Sequence, residues 1–80
     1  MTVTVYTKPV CKQCDLTKHE LKQKGIPYTE ESILDPANLA AAKELGLMSA
    51  PVVMAGDEYW AGFRPDKIQE LAERLEKENK

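Results

Sequence analysis

Thr2 to Tyr6 alternates β-branched and aromatic side chains, which predicts a strand, and Thr7-Lys8-Pro9-Val10 interrupts it. A helix follows from Cys11 or Lys12 to Lys24. Cys14, Thr17 and Leu21 fall at i, i+3 and i+7 on one face, Leu16 is expected beside them, and Gly25 stands where a left-handed cap ends a helix. Ile26 to Glu30 reads as a short strand, whose proline at the second position suits a strand start or an edge. Asp35-Pro36 is a capping residue followed by a first-turn proline. The helix it opens carries Leu39, Ala42 and Leu45 as its apolar face and stops at Gly46. Pro51 to Ala55 and Glu58 to Ala61 read as two strands joined by Gly56-Asp57, a type II′ hairpin turn with glycine first. Pro65 opens the last helix with Asp66 in its first turn. There Ile68, Leu71, Ala72 and Leu75 give the clearest helical period in the chain.

The predicted order is β-α-β-α-β-β-α: an α/β fold with a four-stranded mixed sheet and three helices on both faces. The first two strands, joined by a helical crossover, are expected to be parallel and right-handed, and the last two antiparallel. Residues 76–80 are expected to fray. With 80 residues the chain is read as one domain, spanning 1–80, near the lower end of what folds alone. The composition, 42% hydrophobic and 30% charged, is that of an ordinary soluble protein. No apolar run approaches the roughly 20 residues of a membrane span, and the first residues do not resemble a signal peptide. No membrane association and a cytoplasmic location are the expectations. Net charge is −2 but uneven. Residues 1–25 hold five lysines against Asp15 and Glu20, and the rest of the chain is acidic. No basic stripe with interleaved aromatics is present, so nucleic acid is not an expected partner.

The candidate chemistry is Cys11 and Cys14, a C-x-x-C. A bridge across four residues adds at most about 2 kcal/mol by loop closure, so the pair is a poor staple. A structural zinc site needs four ligands, and His19 brings the set only to three. A buried pair of small apolar cysteines is the bland alternative. Placement decides for chemistry. At a helix start, free backbone N–H groups and the helix dipole favour a thiolate over the ordinary cysteine, whose pKa is about 8.5. Lys8 and Lys12 bracket Cys11 and add positive charge. Cys14 lies one turn inside, on the core face. Cys11 is therefore expected to attack a disulfide and Cys14 to resolve the mixed disulfide. Lys18, Lys22 and Lys24 read as solvated surface charge, and His19 as a solvent-facing residue without a catalytic role.

Three segments resemble the NrdH-redoxins, small glutaredoxin-like members of the thioredoxin superfamily. They are Val3-Thr4-Val5-Tyr6-Thr7-Lys8-Pro9-Val10-Cys11-Lys12-Gln13-Cys14, the loop Ser49-Ala50-Pro51-Val52-Val53, and the block Trp60-Ala61-Gly62-Phe63-Arg64-Pro65-Asp66. The resemblance implies the minimal thioredoxin/glutaredoxin fold. It implies a dithiol electron donor to class Ib ribonucleotide reductase, reduced by thioredoxin reductase with NADPH as the indirect source and no bound cofactor. A monomer is expected. It also implies a cis peptide before Pro51, which leaves the Ala50 backbone beside Cys11 for an extended client segment; a proline that merely starts a strand is the alternative. Thr7, Gln13, Ala50, Pro51, Trp60, Phe63, Arg64 and Asp66 are the client-docking and loop residues it implies. Of these, Phe63 is expected in the core, Trp60 with one face packed and one edge in a docking patch, and Arg64 and Asp66 fixing the loop.

Two departures from the family pattern carry expectations of their own. Lys12 stands where many relatives have an apolar residue, and is expected to ease Cys11 ionisation or favour an acidic client surface. Ala61 replaces a serine. The chain also lacks the C-P-Y-C motif and the glycine pair with following acids of glutathione-using glutaredoxins, so weak glutathione use is expected. A glutathione-dependent glutaredoxin, and a cysteine-ligated metal or iron–sulfur module, are the competing readings.

Overall fold

A computed structural model of the chain describes residues 2–78. Its elements are β1 (Val3–Thr7), α1 (Lys12–Gln23), β2 (Thr29–Ser32), α2 (Pro36–Glu44), β3 (Val52–Ala55), β4 (Glu58–Ala61) and α3 (Pro65–Glu78). The strands form one sheet in the order β2-β1-β3-β4. β1 runs parallel to β2, with Thr4 opposite Thr29, and antiparallel to β3, with Val5 opposite Val53. The β3–β4 hairpin pairs Val53 with Trp60 across the turn at Gly56, whose φ is +64°. Order, strand directions and mixed sheet are those expected.

The two-residue period of the strands sorts side chains onto two faces. Val3, Val5, Val53, Ala55 and Trp60 pack with Leu21 of α1, Ile26, and Ile68 and Leu71 of α3. On the opposite face Val52 packs with Ile33 and Ala42 of α2, and Tyr6, Met54 and Ala61 join them. Helices thus cover both faces, and the larger core lies under α1 and α3.

Both helices before the hairpin stop by the same device. Gly25 and Gly46 take φ of +70° and +76°. Behind them Ile26 N–H reaches Leu21 O at 2.9 Å and Leu47 N–H reaches Ala42 O at 2.9 Å, the six-to-one bond of a Schellman cap. At the start of α2, Asp35 accepts from Ala37 N–H at 3.0 Å, with Pro36 in the first turn.

Four expectations shift. β1 ends one residue later, because Thr7 still pairs with Ser32. β2 begins at Thr29 rather than Ile26: Ile26 is consumed by the cap of α1 and buried in the core, so pairing starts beyond Pro27. Leu16 is 45% exposed instead of lying beside the buried stripe. At 100° per residue it stands about 200° from Cys14, on the far side of the helix. In α2 only Ala42 is fully buried, while Leu39 and Leu45 stay partly in solvent. The expected fraying of 76–80 falls on a helix that continues to Glu78; Asn79 and Lys80 lie outside the described residues.

Candidate functional site: a cysteine pair at a helix start

The first strand carries the chain out of the sheet, and Lys8-Pro9-Val10 turns it into α1. Cys11 is the cap of that helix, with extended backbone (φ −126°, ψ 103°). Its Sγ accepts from Cys14 N–H at 3.1 Å, so one of the free first-turn N–H groups is directed at this sulfur. The two cysteines form a disulfide, with Cα atoms 5.2 Å apart. They differ in access: Cys11 is half-buried at the rim, whereas Cys14 is 1% exposed on the inner face of α1. One sulfur can be reached from solvent and the other cannot.

Three loops meet around the pair. The Ala50–Pro51 peptide is cis, and Pro51 is fully buried. Pro51 O accepts from Gly62 N–H at 2.8 Å, joining the proline loop to the turn before α3. Gln13, from inside the C-x-x-C, reaches the same turn: its Oε1 accepts from Phe63 N–H at 3.4 Å. Gly62 has φ of +85°, a conformation that suits glycine. Lys8, Lys12 and Gln13 are exposed, and Cys11, Lys12 and Ala50 share the walls of a groove of about 510 Å³.

The remaining implied residues fall into place unevenly. Phe63 is partly buried against the main core. Arg64 and Asp66 hold each other by two hydrogen bonds of 3.2 and 2.9 Å. That contact holds the Asp66 carboxyl below, and the Arg64 guanidinium above, their ordinary values. Trp60 corrects an expectation. It is 5% exposed and packs with Val53 and the α3 residues, so its ring offers no edge to a partner. Its strand position, opposite Val53, points it at the α1/α3 face, and the large ring fills that core. Its indole N–H and the hydroxyl of Thr17 are buried without a hydrogen-bond partner among the described residues. His19 is exposed, as its spacing predicts.

Thr7, one of the implied residues, is joined beside the pair by two residues outside the expected set, Lys18 and Glu30. Thr7, buried at the end of β1, donates its hydroxyl to Glu30 Oε2 at 2.8 Å, and Lys18 Nζ approaches the same oxygen at 3.2 Å. Thr7, Cys11, Lys18 and Glu30 line a second groove, of about 500 Å³, which shares Lys8, Val10 and Cys11 with the first. The Thr7 hydroxyl, then the Lys18 ammonium, hold the Glu30 carboxyl below its ordinary 4.5. The Glu30 bond in turn raises Lys18 above its ordinary value. A depressed carboxyl stabilises the fold above its ordinary range, and that share is lost as pH falls through the folded value. A raised lysine keeps its share through neutral pH and loses it only as pH rises past 10.5 and through the folded value. Glu30→Gln is therefore expected to cost about 0.5–1 kcal/mol at pH 7, since the pair is partly exposed, and progressively less at an acid pH below the folded value of the carboxyl. Urea unfolding of both proteins at the two pH values reads this; an equal gap at both would exclude the carboxylate as the cause.

Sequence patterning does not reveal this cluster, because Glu30 reads as a strand end and Lys18 as a solvated charge. The β1–β2 register sets Glu30 opposite Val5, and its side chain reaches forward to the Thr7 hydroxyl, a contact between strands that spacing along one segment does not record. No group of three or more His, Cys, Asp or Glu able to hold a metal gathers among the described residues.

Comparisons with known proteins agree with the geometry. The glutaredoxin family model matches residues 3–60. The glutaredoxin-like protein NrdH of Salmonella typhimurium is 39% identical over 72 residues, covering 89% of each chain. That of Lactococcus lactis subsp. cremoris is 37% identical over 71 residues, covering 88% of this chain and 99% of its own. The solved structure of the Escherichia coli NrdH-redoxin, a glutaredoxin-like protein with a thioredoxin-like activity profile, superposes with a TM-score of 0.85 at 38% identity, over 89% of this chain and 95% of that one. A reversible dithiol on this scaffold exchanges thiols with disulfides, so the chain is a thiol–disulfide oxidoreductase and belongs to the glutaredoxin family, as one of its NrdH glutaredoxin-like members.

Proposed function

We propose that the chain carries electrons from NADPH, through thioredoxin reductase, to the disulfide of a class Ib ribonucleotide reductase. Thioredoxin reductase opens the Cys11–Cys14 disulfide with two electrons and two protons. The Cys11 thiolate then attacks one sulfur of the client disulfide, forming a Cys11–client bond and releasing the other client sulfur as a thiolate. Cys14, deprotonated, attacks Cys11 Sγ and expels the second client sulfur. The client gains two electrons and two protons, and Cys11–Cys14 is again oxidised. Nothing in this cycle needs a cofactor in this chain; a monomer in the cytoplasm would suffice.

The unequal access of the two sulfurs supports the division of roles, since only the reachable one can meet a partner's disulfide. The observation that carries the choice of electron source is the loop before α3. The Asp66 carboxylate is taken by Arg64, and the glycine–acid segment that glutathione users place here is absent. The thioredoxin-like activity profile of the E. coli relative points the same way.

The test follows NADPH oxidation with a disulfide substrate in two arms: thioredoxin reductase, or glutathione with its own reductase. Turnover is expected in the first arm, and at least about tenfold less in the second. Fast turnover with glutathione alone would overturn the reading in favour of a glutathione-dependent glutaredoxin. The client is tested by deoxynucleotide formation by a class Ib reductase with this protein as the sole thiol donor.

A further inference from the structure

Val10, directly before Cys11, is fully exposed and has a φ of +52°. Among the described residues it is the only non-glycine with positive φ. For a β-branched side chain this region is an outlier, a strain that glycine or asparagine would avoid. The side chain recovers nothing by packing, because it stands in solvent. A strained backbone that holds an apolar group outward beside a nucleophile is unfavourable for the free protein and useful only when something covers it.

Across the first groove stands Met48, 75% exposed, on the approach to the proline loop. Between them the groove carries Lys8 and Lys12 and no acidic residue. Neither lysine enters an ion pair among the described residues, although the chain as a whole is acidic. Cys11 and Ala50 lie in the same walls, so a segment whose sulfur reaches Cys11 passes within range of both cations and both apolar groups.

We infer that this groove selects client segments in which the attacked cysteine is flanked by an acidic side chain, held by Lys8 and Lys12, and by an apolar one, held between Val10 and Met48. The occupant is an extended, disulfide-bearing segment of a partner protein, lying along the Ala50 backbone. Its negative charge complements the two free lysines, steering the encounter and fixing the orientation of attack. The inference rests on the dithiol reading of Cys11 and Cys14, and specifies which disulfides that dithiol prefers.

The experiment uses the full chain, reduced beforehand, so that it is independent of the electron source. Three disulfide-linked peptide dimers differ only in the residue before cysteine: glutamate, glutamine or lysine. Each rate of reaction is divided by that peptide's rate with 2-mercaptoethanol, which removes differences in intrinsic sulfur reactivity. The glutamate peptide is expected to react about tenfold faster than the lysine peptide at low salt, and about twofold faster at 0.5 M salt, where the Debye length is only about 4 Å. Lys12→Gln should shrink the low-salt ratio to about threefold. Val10→Asn should slow a peptide with leucine after the cysteine about threefold relative to one with glycine there, without lowering the melting temperature. Equal normalised rates for the three charges, or a ratio indifferent to salt, overturn the selection. Unreactivity of all three peptides overturns the dithiol reading itself.

Discussion

Replacing Cys11 with serine is expected to abolish disulfide reduction, by at least about a thousandfold, which is about 4 kcal/mol of barrier. Serine keeps the shape of the helix cap, and its hydroxyl can still accept from Cys14 N–H, so the fold should survive. What is lost is the nucleophile, because the hydroxyl does not ionise near neutral pH and Cys14, 1% exposed, cannot substitute at the surface. Cys14→Ser should behave differently. Cys11 can still attack, but the mixed disulfide has no internal thiol to resolve it. A covalent complex should accumulate, visible as a species whose mass is that of the variant plus one client thiol, and disappear on adding a reductant. Both variants should lack the Cys11–Cys14 bridge, so their difference cannot come from its loss. Equal residual turnover in the two, or no trapped adduct with Cys14→Ser, would remove the assigned roles.

Much of this fold is legible in the sequence for a local reason. Its elements are marked by strong local signals: Asp35-Pro36 at a helix start, Gly25 and Gly46 at helix ends, Gly56 in the hairpin, and the stripe of Ile68, Leu71 and Leu75. Each acts within a few residues, so sequence spacing suffices. β2 fails this test. All four of its residues, Thr29 to Ser32, are exposed at the sheet edge, so no apolar alternation records its register. Its position follows from where α1 stops and from pairing with β1, which are non-local facts. Leu16 departs for a simpler reason: two residues beyond Cys14, it is turned about 200° around the helix and faces solvent.

The site divides along the same line. Cysteine identity, spacing and helix-start position were legible, because Cys11 acts through its own cap. Trp60 was not, since a tryptophan's exposure depends on which sheet face it meets, and here it meets the one beneath α1 and α3. The Thr7–Glu30–Lys18 cluster gathers side chains from β1, β2 and α1, and Val10 is distinguished by a backbone angle. No residue type announces either. Both the helix start that carries Cys11 and the tertiary contacts around it hang on the core that holds α1 against the sheet.

That core sets the second large effect. Leu71 is fully buried in α3 among Val5, Leu21, Ile68 and Trp60. Leu71→Ala is expected to cost about 2–5 kcal/mol, the lost transfer energy plus the cavity left behind. A chain of this length has about 4–12 kcal/mol in total, so the variant loses a large share of its stability. In melting temperature that is roughly 10–30 °C. Leu16→Ala provides the comparison. Leu16 is 45% exposed on the far side of α1, and its loss should stay within about 0.5 kcal/mol. The two leucines separate burial from residue type, and urea unfolding of the oxidised proteins measures both. A Leu71→Ala loss below about 1 kcal/mol, or equal to that of Leu16→Ala, would mean α3 does not carry this core. The functional consequence is specific. α3 packs under the sheet and against α1, so the variant should keep its Cys11 reaction rate while folded. It should lose activity on heating in step with its unfolding, because Cys11 is positioned only while the α1 start that packs with α3 stays folded.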